Sequence, residues 1–114
     1  KEVYAALYRV GAGSAEQEMS ETVIPLADLA GRISEPVVFT GEGANLFHHE
    51  LLELFGSRSH FAPLSATVPS AASVAELGRT ALLAGERADA SLLTPLYIRR
   101  PEAEVAWEKR RQLR

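Results

Sequence analysis

The sequence predicts a small α/β layer domain, and three observations carry that expectation. The first 24 residues hold two β-rich runs separated by a glycine-bearing loop. Pro25 is followed by apolar residues at helical spacing. Val37-Val38-Phe39 then runs into a glycine turn and a second helical face.

Taken in order, Val3 to Val10 is dense in aromatic and branched side chains and ends at Gly11-Ala12-Gly13-Ser14, which can turn the chain back. From Glu18 to Ile24, Met19, Glu21 and Val23 alternate with Ser20, Thr22 and Ile24, so the two runs suit an antiparallel ribbon. Pro25 withdraws a ladder donor, and Leu26, Leu29, Ala30 and Ile33 recur three and four apart, predicting a short helix over 26–33. Val37-Val38-Phe39 reads as a brief strand buried on both faces, closed by Thr40-Gly41-Glu42-Gly43. From Asn45, the residues Leu46, Phe47, Leu51, Leu54 and Phe55 trace a helical face that Gly56 can end. His60 to Leu64 is a weak further strand. Ser70 is placed to cap a helix with a core face of Ala71, Val74, Leu77, Gly78 and Ala81, stopping at Gly85. Leu92 to Tyr97 and onward reads as extended chain.

The chain has 114 residues, 46% hydrophobic and 24% charged, enough for one packed core and short for two ordinary domains. It has no cysteine, which removes thiolate nucleophiles, thiolate metal sites and disulfides, and a cytoplasmic location is expected. Its apolar stretches fall far short of a membrane span, so a soluble protein is expected. A net charge of −3 argues against nucleic-acid binding through overall basicity. The sequence opens at Lys1 without a methionine and is already in strand pattern by Val3, which leads to the expectation of a piece of a longer protein with a preceding domain removed.

Several residues invite chemistry. Gly41 and Gly43 could expose backbone amides to a phosphate at a helix start, but the lysine and hydroxyl of a full phosphate loop are missing and Glu42 brings a negative charge there. A tight strand-to-helix turn is the simpler reading. Of His48, His49 and Glu50, only His49 gains an i,i+4 carboxylate, Glu53, giving two ligands where zinc needs three or more. The pairs Glu50/Glu53 and Glu102/Glu104 read as solvated surface, His60 as a structural residue, and no serine sits in a nucleophile elbow. No catalytic residue, metal ligand or cofactor is therefore assigned.

The stretch 99–114 is distinct. It holds six of the twelve basic residues (Arg99, Arg100, Lys109, Arg110, Arg111 and Arg114) and three acids, a local +3 that leaves −6 on the first 98 residues. Trp107 lies among them, so Trp107, Arg110 and Arg111 form a candidate interface, set against the simpler reading of a charged tail.

Three segments in order also carry a family resemblance: Glu2-Val3-Tyr4-Ala5, then Val37-Val38-Phe39-Thr40-Gly41-Glu42-Gly43-Ala44, then Pro95-Leu96-Tyr97-Ile98-Arg99 with Glu102 and Val105-Ala106-Trp107. Together they resemble the C-terminal half of the TsaB (YeaZ) family, the glycoprotease-like proteins needed for threonylcarbamoyladenosine in bacterial transfer RNA. Order and spacing match across essentially the whole chain. The resemblance implies the second subdomain of an actin- and Hsp70-like (ASKHA, RNase H-like) ATPase fold, a mixed sheet with flanking helices over 1–98, and a basic extension over 99–114.

It further implies a noncatalytic scaffold supporting TsaD, with TsaE, and touching transfer RNA only indirectly. Thr40-Gly41-Glu42-Gly43-Ala44-Asn45 looks like a decayed form of the partner's adenosine-binding turn, with Gly41, Gly43 and Asn45 as its remnants and Glu42 in place of a neutral glycine. The main contact with TsaD is attributed in the family to the first subdomain, outside this chain. An apolar face left bare by that absence would favour a homodimer. The alternative is a nucleotide-dependent or hydrolytic enzyme using the turn at Gly41 to Gly43 with His49 and Glu53; the family has been described as peptidases.

Overall fold

In a computed structural model, which describes residues 1–11, 14–99 and 101–112, the protein is a mixed α/β molecule with small sheets and short helices. Strand β1 (Glu2–Gly11) pairs with β2 (Ser14–Pro25) as a two-stranded sheet. Tyr8 contacts Glu21 while Arg9 contacts Glu18, so one strand descends as the other climbs, as expected of an antiparallel ribbon. The alternation in β1 is direct: Val3, Ala5 and Leu7 are half-buried, whereas Tyr4, Ala6 and Tyr8 are exposed.

Pro25 stands in extended conformation at the head of α1 (Leu26–Arg32), where its missing N–H costs nothing. Asp28 in the first turn and Arg32 in the last complement the helix dipole. Leu26 and Leu29 are buried on its inner side, with Ile24 before and Ile33 after. Strand β3 (Val37–Phe39) then leads into α2 (Glu42–Leu46) and α3 (His48–Phe55), which pack on one another and close the core with Ala44, Leu51 and Phe55. Gly56 ends α3 at φ +57, a conformation that excludes most other residues. Strand β4 (Ser59–Phe61) returns beside β3 in parallel, pairing Val37 with Ser59, Val38 with His60 and Phe39 with Phe61. Phe39 packs edge-on against Phe55 at 4.9 Å and tilted against Phe61 at 5.6 Å.

Five local expectations change. The β3 strand is not buried on both faces: its central residue, Val38, is 62% exposed. The helical face expected from Asn45 begins earlier, at Glu42, and breaks at Phe47, so Leu46 is exposed while Leu51 and Phe55 keep the core role. Helix α4 (Ala71–Leu83) has the expected span, but its anticipated core face is uncovered, with Leu77 70% exposed and no residue of the helix buried. Ser70 occupies its N-cap without a side-chain cap bond; its carbonyl alone accepts from the Val74 N–H. At the other end Gly85, at φ +86, donates to Leu82 O and Glu86 donates to Ala81 O, the two bonds of a Schellman stop. Finally, the stretch beyond Tyr97 does not stay extended: α5 spans Glu102–Gln112. Its run of Glu, Ala, Lys, Arg and Gln consists largely of strong helix formers, and this propensity outweighs the lack of an apolar face.

The chain separates into two compact units. One comprises Lys1–Val3 and Ile24–Leu93 and contains the core named above; the other comprises Tyr4–Val23 and Thr94–Arg114, that is, most of the ribbon and α5. None of the helices described is long and apolar enough to cross a membrane.

Candidate functional site

The turn between β3 and α2 is the most organised polar feature of the first unit. Gly41 sits at φ +93 directly before α2, a backbone conformation open to glycine, and this bends the strand exit into the helix start. Gly43 lies inside α2, where a Cβ would meet open space, so its lack of a side chain serves no close approach within the chain. On either side of these glycines the polar side chains are engaged. Thr40 donates through Oγ1 to Ala66 O at 2.9 Å, and Asn45 donates through Nδ2 to Thr67 Oγ1 at 3.1 Å. Thr67 is buried, and its hydroxyl passes its own proton to Leu64 O at 2.8 Å. The turn is thereby laced to the single-turn helix 64–66 beyond β4.

The chemistry available at this turn follows from that lacing. Glu42 fills the first turn of a five-residue helix, placing a carboxylate where an anionic ligand would need positive potential. Asn45, the one amide side chain of the turn, is committed to Thr67. Sequence reading singled out Gly41, Gly43 and Asn45 but missed Thr67. Its partners lie three and 22 residues away, so no local spacing marks it.

The histidines are dispersed in role. His49 Nδ1 stands 3.5 Å from Glu53 Oε1 on an exposed helix face, the pair expected from i,i+4 spacing. His48 instead stacks on Phe61, with ring centres 4.1 Å apart. Among the described residues, no three His, Cys, Asp or Glu side chains are grouped to hold a metal ion. Glu50 is turned to Lys1, whose ammonium donates to its carboxylate, lowering the Glu50 pKa, and lies 5.6 Å from the Phe47 ring. The carboxylate pair Glu50/Glu53 is therefore split between two different partners, Lys1 and His49. Glu102 of the other pair has a side chain outside those described.

In the second unit, α5 brings two of the three candidate interface residues together. Trp107 is 57% exposed, and the Arg111 guanidinium lies over its ring at 4.7 Å, one helical turn away. Arg110 turns back on its own helix, its Nε directed to Ala106 O at 3.4 Å. Arg100 and Arg114 lie outside the described residues, as does the Lys109 side chain. The ribbon carries a second polar cluster that sequence reading did not find. Gln17 Nε2 donates to Tyr8 Oη at 3.1 Å, and Tyr8 donates onward to Glu21 Oε1 at 3.0 Å. The Glu21 pKa is lowered by hydrogen bonds, first from its own backbone and then from Gln17 and Tyr8, while the Tyr8 phenol is raised chiefly by its bond to Glu21.

Compared with known proteins, the chain matches no family model, no curated protein and no solved structure.

Proposed function

We propose that this chain is a noncatalytic scaffold, the second subdomain of a TsaB-like protein with actin- and Hsp70-like architecture. In that reading it works in the cytoplasm as part of the assembly that places threonylcarbamoyl on adenosine 37 of transfer RNA, supporting TsaD and TsaE. The observation that supports it is the turn at 40–45. Its strand, glycine turn and helix have the layout of a nucleotide-binding turn, yet Thr40 and Asn45 spend their donors on Ala66 and Thr67, and Glu42 occupies the anion's approach. Such a turn keeps the shape of the element and gives up the ligand. The reading of the particular family rests on the ordered motifs from Glu2 to Trp107.

The test is made on the protein that carries this chain. Its depletion should strip threonylcarbamoyladenosine from transfer-RNA hydrolysates measured by mass spectrometry, and the tagged protein should retain TsaD. Normal levels of the modified nucleoside after depletion, with no retained TsaD, would sink the proposal. Calorimetric heat on titrating the 114-residue chain with ATP would instead favour the nucleotide-dependent enzyme.

A further inference from the structure

Helix α5 lacks an apolar face, yet it carries the chain's one tryptophan, and Trp107 is 57% exposed. Indole rings contribute most when they are covered, and they are enriched at binding surfaces. Charge is sorted along the same helix. Glu102 and Glu104 open it, Lys109, Arg110 and Arg111 lie toward its end, and the stretch 99–114 sets six basic residues against three acids in a chain whose net charge is −3. That order suits the helix dipole, but the dipole gives no reason for an aromatic ring beside the cations. At about 100° per residue, Arg110 and Arg111 fall roughly 60° and 40° to either side of Trp107, one turn further on. Ala103 and Glu104 share that side one turn earlier, so positive charge gathers at the C-terminal half. Arg111 lays its guanidinium over the ring at 4.7 Å, while Arg110, also exposed, commits only Nε to Ala106 O.

We propose that this face of α5 binds a single-stranded nucleic acid, with a base stacked on the indole and phosphates held by Arg110 and Arg111. A ring with a guanidinium over it offers the flat surfaces on which unpaired bases stack, and arginines beside it meet the phosphates. A duplex keeps its bases stacked inside, out of reach of an exposed indole. The chain's net negative charge also opposes a dense polyanion at long range, which favours a strand touching through a few phosphates. An acidic peptide would satisfy the arginines, but its carboxylates are repelled by the electron-rich face of the ring, and it brings no flat group to cover it. The surface stands on α5 alone and does not depend on the turn at 40–45.

Because Trp107 is the single tryptophan, its fluorescence reports this ring alone. Titrating the 114-residue chain at low salt with oligouridine, and separately with oligothymidine, should quench it; the two titrations tell an RNA strand from a DNA strand, and quenching by neither would overturn the proposal. With the strand labelled, anisotropy should show Trp107→Leu weakening binding roughly 5- to 100-fold at an unchanged salt slope. Arg110→Gln with Arg111→Gln should instead flatten the fall of log affinity with log salt by about 0.7 for each phosphate lost, about 1.4 in all, and lysine at both positions should restore it. Should the glutamine pair lose helical circular dichroism, the unaltered chain decides: its quenching must fade as salt rises, and a salt-independent signal would count against the surface. Equal affinity for duplex RNA, equal quenching by polyglutamate, an unaffected Trp107→Leu, or a slope unmoved by the arginine pair would each overturn it. Retention of TsaD and the level of the modified nucleoside are read separately, so this surface can fail while the scaffold reading holds, and the reverse.

Discussion

Single residues account for the turn more closely than its glycine content suggests. Gly41 and Gly43 look equivalent in the sequence, but φ is +93 at Gly41 and Gly43 is an ordinary helical position with open space where a Cβ would go. Gly41→Ala should therefore cost about 1–3 kcal/mol, because at φ +93 and ψ 173 the backbone lies in a region almost confined to glycine. Gly43→Ala should stabilise by about 0.5–1 kcal/mol through helix propensity. Urea unfolding curves of the two variants give the comparison, and equal shifts would contradict it. The Tyr8–Glu21 pair makes a pH prediction. Glu21 is held below its ordinary 4.5, so its support of the ribbon is present above that pH and is lost as pH falls through the folded value. Tyr8 is held above its ordinary 10.0, so its support is complete below that pH and is lost as pH rises through the folded value. In Tyr8→Phe the Glu21 titration followed by carbon NMR should move up toward 4.5 without reaching it, since its own backbone and Gln17 still donate. An unmoved titration would show that the phenol does not contribute.

At the scale of elements, most of the order along the chain was legible. The ribbon, the helix after Pro25, the strand at 37–39, the strand near His60 and the helix opened by Ser70 all stand where periodicity and punctuation put them. What could not be read was which faces are covered, because periodicity marks an apolar stripe and says nothing of its partner. Helix α4 is the clearest case: Val74, Leu77 and Gly78 repeat at helical spacing and all three are exposed. Gly78→Ala should accordingly stabilise α4 by about 0.5–1 kcal/mol, since the added methyl meets nothing within 4 Å. Leu77→Gln should leave the melting temperature nearly unchanged while lowering the protein's tendency to aggregate. A large loss of stability in either variant would mean that the face is packed. At the candidate site, the glycines were visible from the sequence because they are punctuation. The Thr67 bond to Asn45 was not, because it joins residues from separate elements. The Trp107–Arg111 contact follows from one helical turn once α5 is known to be a helix.

For the whole molecule, the weight of stability rests on a few side chains in one unit: Ile24, Leu26, Leu29, Ile33, Ala44, Leu51 and Phe55. Phe55→Ala removes a ring that meets Phe39 and should cost about 3–5 kcal/mol, whereas Leu46→Ala, on the outer side of α2, should stay within about 0.5 kcal/mol. Thermal melts of the two would show a wide gap, and similar values would place the core elsewhere. The parallel pairing of β3 with β4 carries a different consequence, one of timing. Val37 finds its partner only at Ser59, with α2 and α3 between them, so the ladder cannot nucleate from neighbouring residues. The intervening chain must first be gathered by its own helices, after which closure rewards both strands at once. The shortest strands of the molecule are thus among the last to form, and the pace at which its aromatic cluster assembles is set by how quickly two helices can bring three residues back to three others.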